Sequence, residues 1–132
     1  MTKEITLKNK EIYDIYNLLK NSFNDNTKYL PAKVNFCIQK TIKSLYNTVE
    51  SIEIARQEIA IHYGTLSEDS ADTYLIPLEN REKANKELLE LMNVSTEVRF
   101  TTILFKDIEN LEFTSNQMEA LMFMIEEEEE VE

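Results

Sequence analysis

The longest regularity in the chain is an apolar seam stepping by four and three: Ile38, Ile42, Leu45, Val49, Ile52, Ile59 and Tyr63, with Arg56 at the one position where the repeat should be apolar. With 3.6 residues per turn these positions share one face, so the pattern predicts a single long helix over about 31–63. Pro31 suits its first position, where a missing N–H has no partner to lose. Gly64, the single glycine of the chain, falls just past the last turn, where a left-handed residue is expected to close the helix. A second stripe, Val34, Cys37, Tyr46, Ile54 and Ile61, lies off the seam. The heptad spacing also fits a coiled coil. A helix apolar on more than one side is more often covered by its own neighbours, so the preferred reading is a central rod with the other helices folded onto it. Arg56 then either pairs with an acid within the fold or marks where the seam opens to solvent.

Shorter patterns surround this rod. Glu4-Ile5-Thr6-Leu7-Lys8 alternates and predicts a strand. Asn9 is placed to cap a helix that runs from about Lys10 to Phe23, with Ile12, Ile15, Tyr16, Leu19 and Phe23 on one face. Asn24-Asp25-Asn26-Thr27 breaks it. After Gly64, residues 65–72 predict a polar loop, followed by a short extended segment, Thr73-Tyr74-Leu75-Ile76, stopped by Pro77. A helix over about 79–92 turns Ala84, Leu88, Leu91 and Met92 inward and is capped by Asn93. Residues 97–105 predict a strand with Val98, Phe100, Thr102 and Leu104 on one face. Ile108 to Phe113 reads as a turn or a weak strand pairing with the preceding or the N-terminal one. Thr114-Ser115-Asn116-Gln117 is a capping box opening a last helix. Met118, Leu121, Met122 and Ile125 line one face of it, with Phe123 and Met124 to the side.

These elements predict an α+β fold, mostly helical, with shorter helices on the central one and a small sheet built from residues near 4–8, 73–76 and 97–105. The 132 residues suffice for one domain, assigned to 1–125. A hydrophobic content of 42% places them among globular rather than disordered chains. No stretch approaches the length of a signal peptide's apolar run or a membrane span. The lone Cys37 excludes an internal disulfide and suggests a reducing compartment; it reads as a small buried residue of the long helix.

Charge is divided unevenly. Residues 1–50 carry a net +3 and residues 51–132 a net −14. The run Glu126, Glu127, Glu128, Glu129 and Glu130, with Val131 and Glu132, predicts an acidic tail that frays, because like charges at a helix C-terminus repel and oppose the dipole. Such a surface is unsuited to nucleic-acid phosphates or an anionic bilayer, where basic groups supply the affinity. It suits a basic protein partner or a site that ordinarily holds nucleic acid, although acidity also serves solubility alone. The candidate contact residues are therefore Arg56 and Glu126 to Glu130.

The residues assemble no catalytic arrangement. One histidine, His62, allows neither a histidine-based metal site nor a histidine dyad within the chain. One glycine leaves no phosphate-cradling loop. Glu68, Asp69 and Asp72 lack the spacing and turn glycine of a calcium loop. A non-enzyme without cofactor or metal is expected.

Four segments, LPAKVNFCIQKTIKSL, IARQEIAIHYG, IPLENREKANKELLELMN and LEFTSNQMEALMFMI, resemble small proteins of unassigned function encoded by tailed bacteriophages and prophages of low-GC bacteria. In those proteins a long helix ends in Tyr-Gly, a hydrophilic loop leads to a short strand with Ile-Pro, and a Glu/Lys-rich helix, a strand and a short helix follow. The likeness runs from Leu30 to Ile125. It implies a phage origin and action by binding a host or phage protein in the infected cytoplasm or the virion. A role in blocking a host defence or nucleic-acid-handling factor is one expectation. A part in head, tail or connector assembly, with possible homo-oligomerisation, is the other.

Overall fold

The computed structural model describes residues 2–23, 30–67 and 70–126. Its elements are β1 (Thr2–Lys8), α1 (Asn9–Ser22), α2 (Ala32–Tyr63), β2 (Thr65–Ser67), β3 (Ser70–Leu75), α3 (Leu78–Met92), β4 (Ser95–Thr101), β5 (Ile103–Leu104), a 3₁₀ turn (Phe105–Asp107), α4 (Ser115–Leu121) and β6 (Ile125–Glu126). The fold is α+β and mostly helical, and it is organised around α2 as the seam predicts.

Ile38, Leu45, Val49 and Ile52 of the seam are buried, as are Val34 and Cys37 of the second stripe. Across the first two-thirds of its length α2 packs on α1, which contributes Ile12, Ile15, Tyr16 and Leu19, and on β4, which contributes Val98 and Phe100. Thr41 is buried here too, and its hydroxyl accepts from the Thr101 amide at 3.0 Å, fastening the rod to the end of β4. Beyond Ile52 the packing partner becomes α3, with Ala84 as its one buried residue. Asn80 donates from its side chain to the Tyr63 carbonyl at 3.1 Å and fixes the start of α3 to the end of α2.

Several expectations are corrected. Gly64 is not left-handed: its φ is −113° and its ψ 175°, an extended conformation open to any residue. What excludes a side chain is proximity, because a Cβ at Gly64 would stand 2.6 Å from the Ala60 carbonyl oxygen and 3.1 Å from that of Leu75. Asn9 is not the cap of α1 but its first residue, and it is buried. Its side chain donates to the Leu91 carbonyl at 2.8 Å and accepts from the Thr96 hydroxyl at 2.8 Å, while its amide donates to the Val94 carbonyl at 2.9 Å. Three bonds thus tie α1 to the α3–β4 corner. The cap position belongs to Lys8, whose amide donates to the Glu11 carboxylate at 3.2 Å.

The strands form three separate two-stranded ladders rather than one sheet. β1 and β4 pair antiparallel from Thr2 with Thr101 to Lys8 with Ser95. The expected loop after Gly64 is instead a hairpin, with Thr65 opposite Leu75 and Leu66 opposite Tyr74, so the 73–76 segment pairs locally and joins neither other ladder. Glu68 and Asp69 lie outside the described residues. The expected strand 97–105 is broken at Thr102: Thr102 and Ile103 are both buried, and consecutive residues of a regular strand cannot face one side. Residues 108–113 add no strand; they follow the 3₁₀ turn as turn and bend.

The Thr114–Gln117 capping box is present, at 3.1 and 2.9 Å, and the Gln117 amide also donates to the Ser22 carbonyl at the end of α1. The helix it opens is shorter than expected. It stops at Leu121, the chain turns so that Met124 enters the core, and Ile125–Glu126 pairs in parallel with Ile103–Leu104. Met122, expected inward, is exposed.

Candidate protein-binding surface

Of the residues picked from sequence, the two that fall within the described residues, Arg56 and Glu126, lie far apart. Arg56 sits on α2 with its guanidinium 3.1 Å from Glu53 on the same helix and 5.6 Å from the centre of the Tyr13 ring of α1. The seam's polar exception is therefore covered from the side by an aromatic face, and its charge is answered locally. Such an exposed pair stabilises little. Glu126 is not in a free tail: it belongs to β6 and accepts from the Thr102 hydroxyl at 2.6 Å. Glu127, Glu128, Glu129 and Glu130, like Val131 and Glu132, lie outside the described residues. Glu126 lines a small cavity of ≈ 170 Å³ with Lys33 and Cys37, residues about 30 Å from Arg56 along the rod at 1.5 Å per residue.

The chemistry around that cavity is quiet. Lys33 pairs with Asp107 at 3.2 Å, Thr102 and Glu126 hold each other, and Cys37 is a free thiol against aliphatic neighbours. Among the described residues, no three His, Cys, Asp or Glu side chains stand together as metal ligands, and no helix is long and apolar enough to cross a membrane.

A broader concave surface lies elsewhere, along the outer side of α3. Leu78 and Leu89 are three turns apart on one face, and Val94 follows the helix end; they are 76, 63 and 51% exposed. Arg81, Glu82 and Asn85 stand between them, and together these residues line an open groove of ≈ 1010 Å³. α3 turns its small and half-buried positions, Ala84, Leu88 and Leu91, toward the rod, which leaves Leu89, the second residue of the Leu88-Leu89 pair, to solvent. Arg81 is also anchored, donating through Nε to the Ile76 carbonyl at 3.1 Å.

A second cleft runs along the opposite side of α3, where it meets α2, and shares Glu90 and Val94 with the first. Glu58 of α2 and Glu87 and Glu90 of α3 converge there beside His62, whose ring packs edge-on against Tyr63 at 4.6 Å. The Tyr63 hydroxyl is held above the usual phenol range, first by its hydrogen bond to Glu87 and then by partial burial and the neighbouring carboxylates. The result is an apolar groove with an acidic ridge behind it. The sequence pattern does not reveal this surface, because it starts the helix at about 79, beyond Leu78, and turns Leu88 rather than Leu89 to a defined face. The eleven-residue spacing of Leu78 and Leu89 was the available signal.

No family model matches the chain, and neither the curated proteins nor the solved structures compared with it include a match.

Proposed function

We propose that this chain is a non-enzymatic binding protein, phage-encoded like the proteins it resembles, that docks another protein through the outer face of α3. The observation that carries this reading is the set of exposed Leu78, Leu89 and Val94 on one face, backed by Glu58, Glu87 and Glu90. Large aliphatic groups left in water on a helix gain free energy when covered, and the carboxylates behind them select the cover. The fitting partner is a segment with both apolar and basic residues, such as the nucleic-acid-facing surface of a host defence or nucleic-acid-handling factor, met in the cytoplasm of an infected bacterium. A nucleic acid or an anionic membrane would meet repulsion at the same ridge.

The test is affinity capture from phage-infected low-GC bacteria with the native chain and with Leu89→Asp, each at two salt concentrations. A host protein retained by the native chain, lost about 30-fold or more with Leu89→Asp and weakened by salt is the expected result. A captured set identical for both chains would remove α3 from the interface. Capsid, portal or tail proteins in place of host factors would make the chain an assembly component of the virion.

A further inference from the structure

The side of α2 that faces away from α1 and α3 carries an ordered pattern of its own. From Phe36 to Ile61 the positions alternate by four and three residues, and each of the eight is exposed. At 1.5 Å per residue the stripe is about 37 Å long. Its ends are apolar, with Phe36 60% exposed at one and Ile54 and Ile61 at 53 and 50% at the other. Between them the charge changes sign: Lys40 and Lys43 lie in the first half and Glu50 in the second. The Lys40 ammonium already stands 5.5 Å from the centre of the Phe36 ring, and Glu50 hydrogen-bonds the Tyr46 hydroxyl, so both charges are kept close to the stripe.

We propose that two copies of the chain pair through this face, their α2 helices antiparallel about a two-fold axis between Thr48 and Val49. The alternation of four and three is the spacing at which two helices mesh along a seam. A two-fold interface must be self-complementary, and this stripe is so in only one direction. Run antiparallel, Phe36 of each copy meets Ile61 of the other, and Lys43 covers Ile54. Lys40 then stands opposite Gln57 and Asn47 opposite Glu50, with Lys43 one turn from Glu50. Run parallel, lysine faces lysine and glutamate faces glutamate. The pairing uses a face distinct from the α3 groove and stands whether or not the proposed function holds. It places the two α3 grooves at opposite ends of the paired rods, so a dimer displays them as a bivalent binder.

Charge reversal tests direction and face together. Sedimentation velocity of the native chain is expected to show a monomer–dimer equilibrium. Lys40→Glu/Lys43→Glu makes the charges of the stripe wholly acidic, and Glu50→Lys makes them wholly basic. Each variant alone is expected to raise the dimer dissociation constant by at least about tenfold. An equimolar mixture of the two should dimerise again as a heterodimer. All three positions are exposed, and circular dichroism checks that each variant is folded. A native chain that stays monomeric up to about 1 mM would overturn the proposal. So would variants that dimerise as the native chain does, or a mixture that fails to restore pairing.

Discussion

Gly64 shows how a correct residue can be explained by the wrong physics. Position after an apolar repeat predicted a left-handed closure, yet the backbone there is extended and the constraint is the 2.6 Å approach of a Cβ to the Ala60 carbonyl. The two accounts separate experimentally. At a left-handed site asparagine is tolerated better than alanine; at a site limited by space it is not. Gly64→Ala is expected to lower stability by about 1–3 kcal/mol in urea unfolding, as overpacking does, and Gly64→Asn by at least as much. A clear advantage for asparagine would restore the left-handed account. The β1–β4 ladder holds a second residue-scale effect. Glu4 is opposite Arg99, 2.7 Å from its guanidinium, and that hydrogen bond above all holds the Glu4 carboxyl below its ordinary range. Glu97 is pushed up, chiefly by its hydrogen bond to Glu4. The lowered Glu4 contributes stability present above its unfolded pKa and lost as pH falls. The raised Glu97 contributes in the opposite sense, present below its unfolded pKa and lost as pH rises through the folded value. Glu97→Gln should therefore raise the melting temperature slightly at pH 7 and leave it unchanged near pH 3. An equal gain at both values would mean that the carboxylates do not interact.

Among the elements, α2 was the most legible, because a 32-residue helix gives its seam many turns in which to repeat. Its buried positions as far as Ile52 are predicted ones except Thr41, whereas Ile42 of the seam is half-buried and Tyr46 of the second stripe is exposed. Leu45 is fully buried between α1 and β4, so Leu45→Ala is expected to lower stability by about 2–5 kcal/mol. Leu45→Asp, an unpaired charge in the core, should remove most of the ~5–15 kcal/mol a domain commands. Ile54→Asp, on the exposed face, should leave the melting temperature of the monomeric chain, measured at micromolar or lower concentration, within a few degrees. A folded Leu45→Asp chain would place the seam outside. Elements of two to seven residues were less legible, and for a stated reason. The hairpin after Gly64 and the β5–β6 pair are made by backbone pairing, and Thr65-Leu66-Ser67 or Ile125-Glu126 is too short to display a period. The end of α4 is decided by the core's need for Met124, a demand of tertiary packing that local propensity does not contain.

At the scale of the molecule, α2 joins two regions of unequal packing. Among the described residues, the continuous hydrophobic core takes its buried members from α1, α2 up to Val49, β4 and the segment from Ile103 to Met124, and none from α3. The far end is held by Ile52 and Ala84, by the Asn80 bond to Tyr63, and by Asn9 reaching Leu91. It also gathers acids, with Glu58, Glu87 and Glu90 at one cleft. Few buried apolar contacts and clustered like charge lower the free energy of local opening. Native-state hydrogen exchange should therefore find amides of α3 opening well before those of α1 or of α2 between Val34 and Val49. Added salt, by screening the carboxylates, should slow α3 more than the core. Uniform protection across α3 and the core would instead mean one cooperative unit, and would take from the α3 groove the property that suits it to a partner. A helix held by a single buried alanine has apolar surface left to cover, and a protein laid along Leu78, Leu89 and Val94 would stabilise that end in proportion to its affinity.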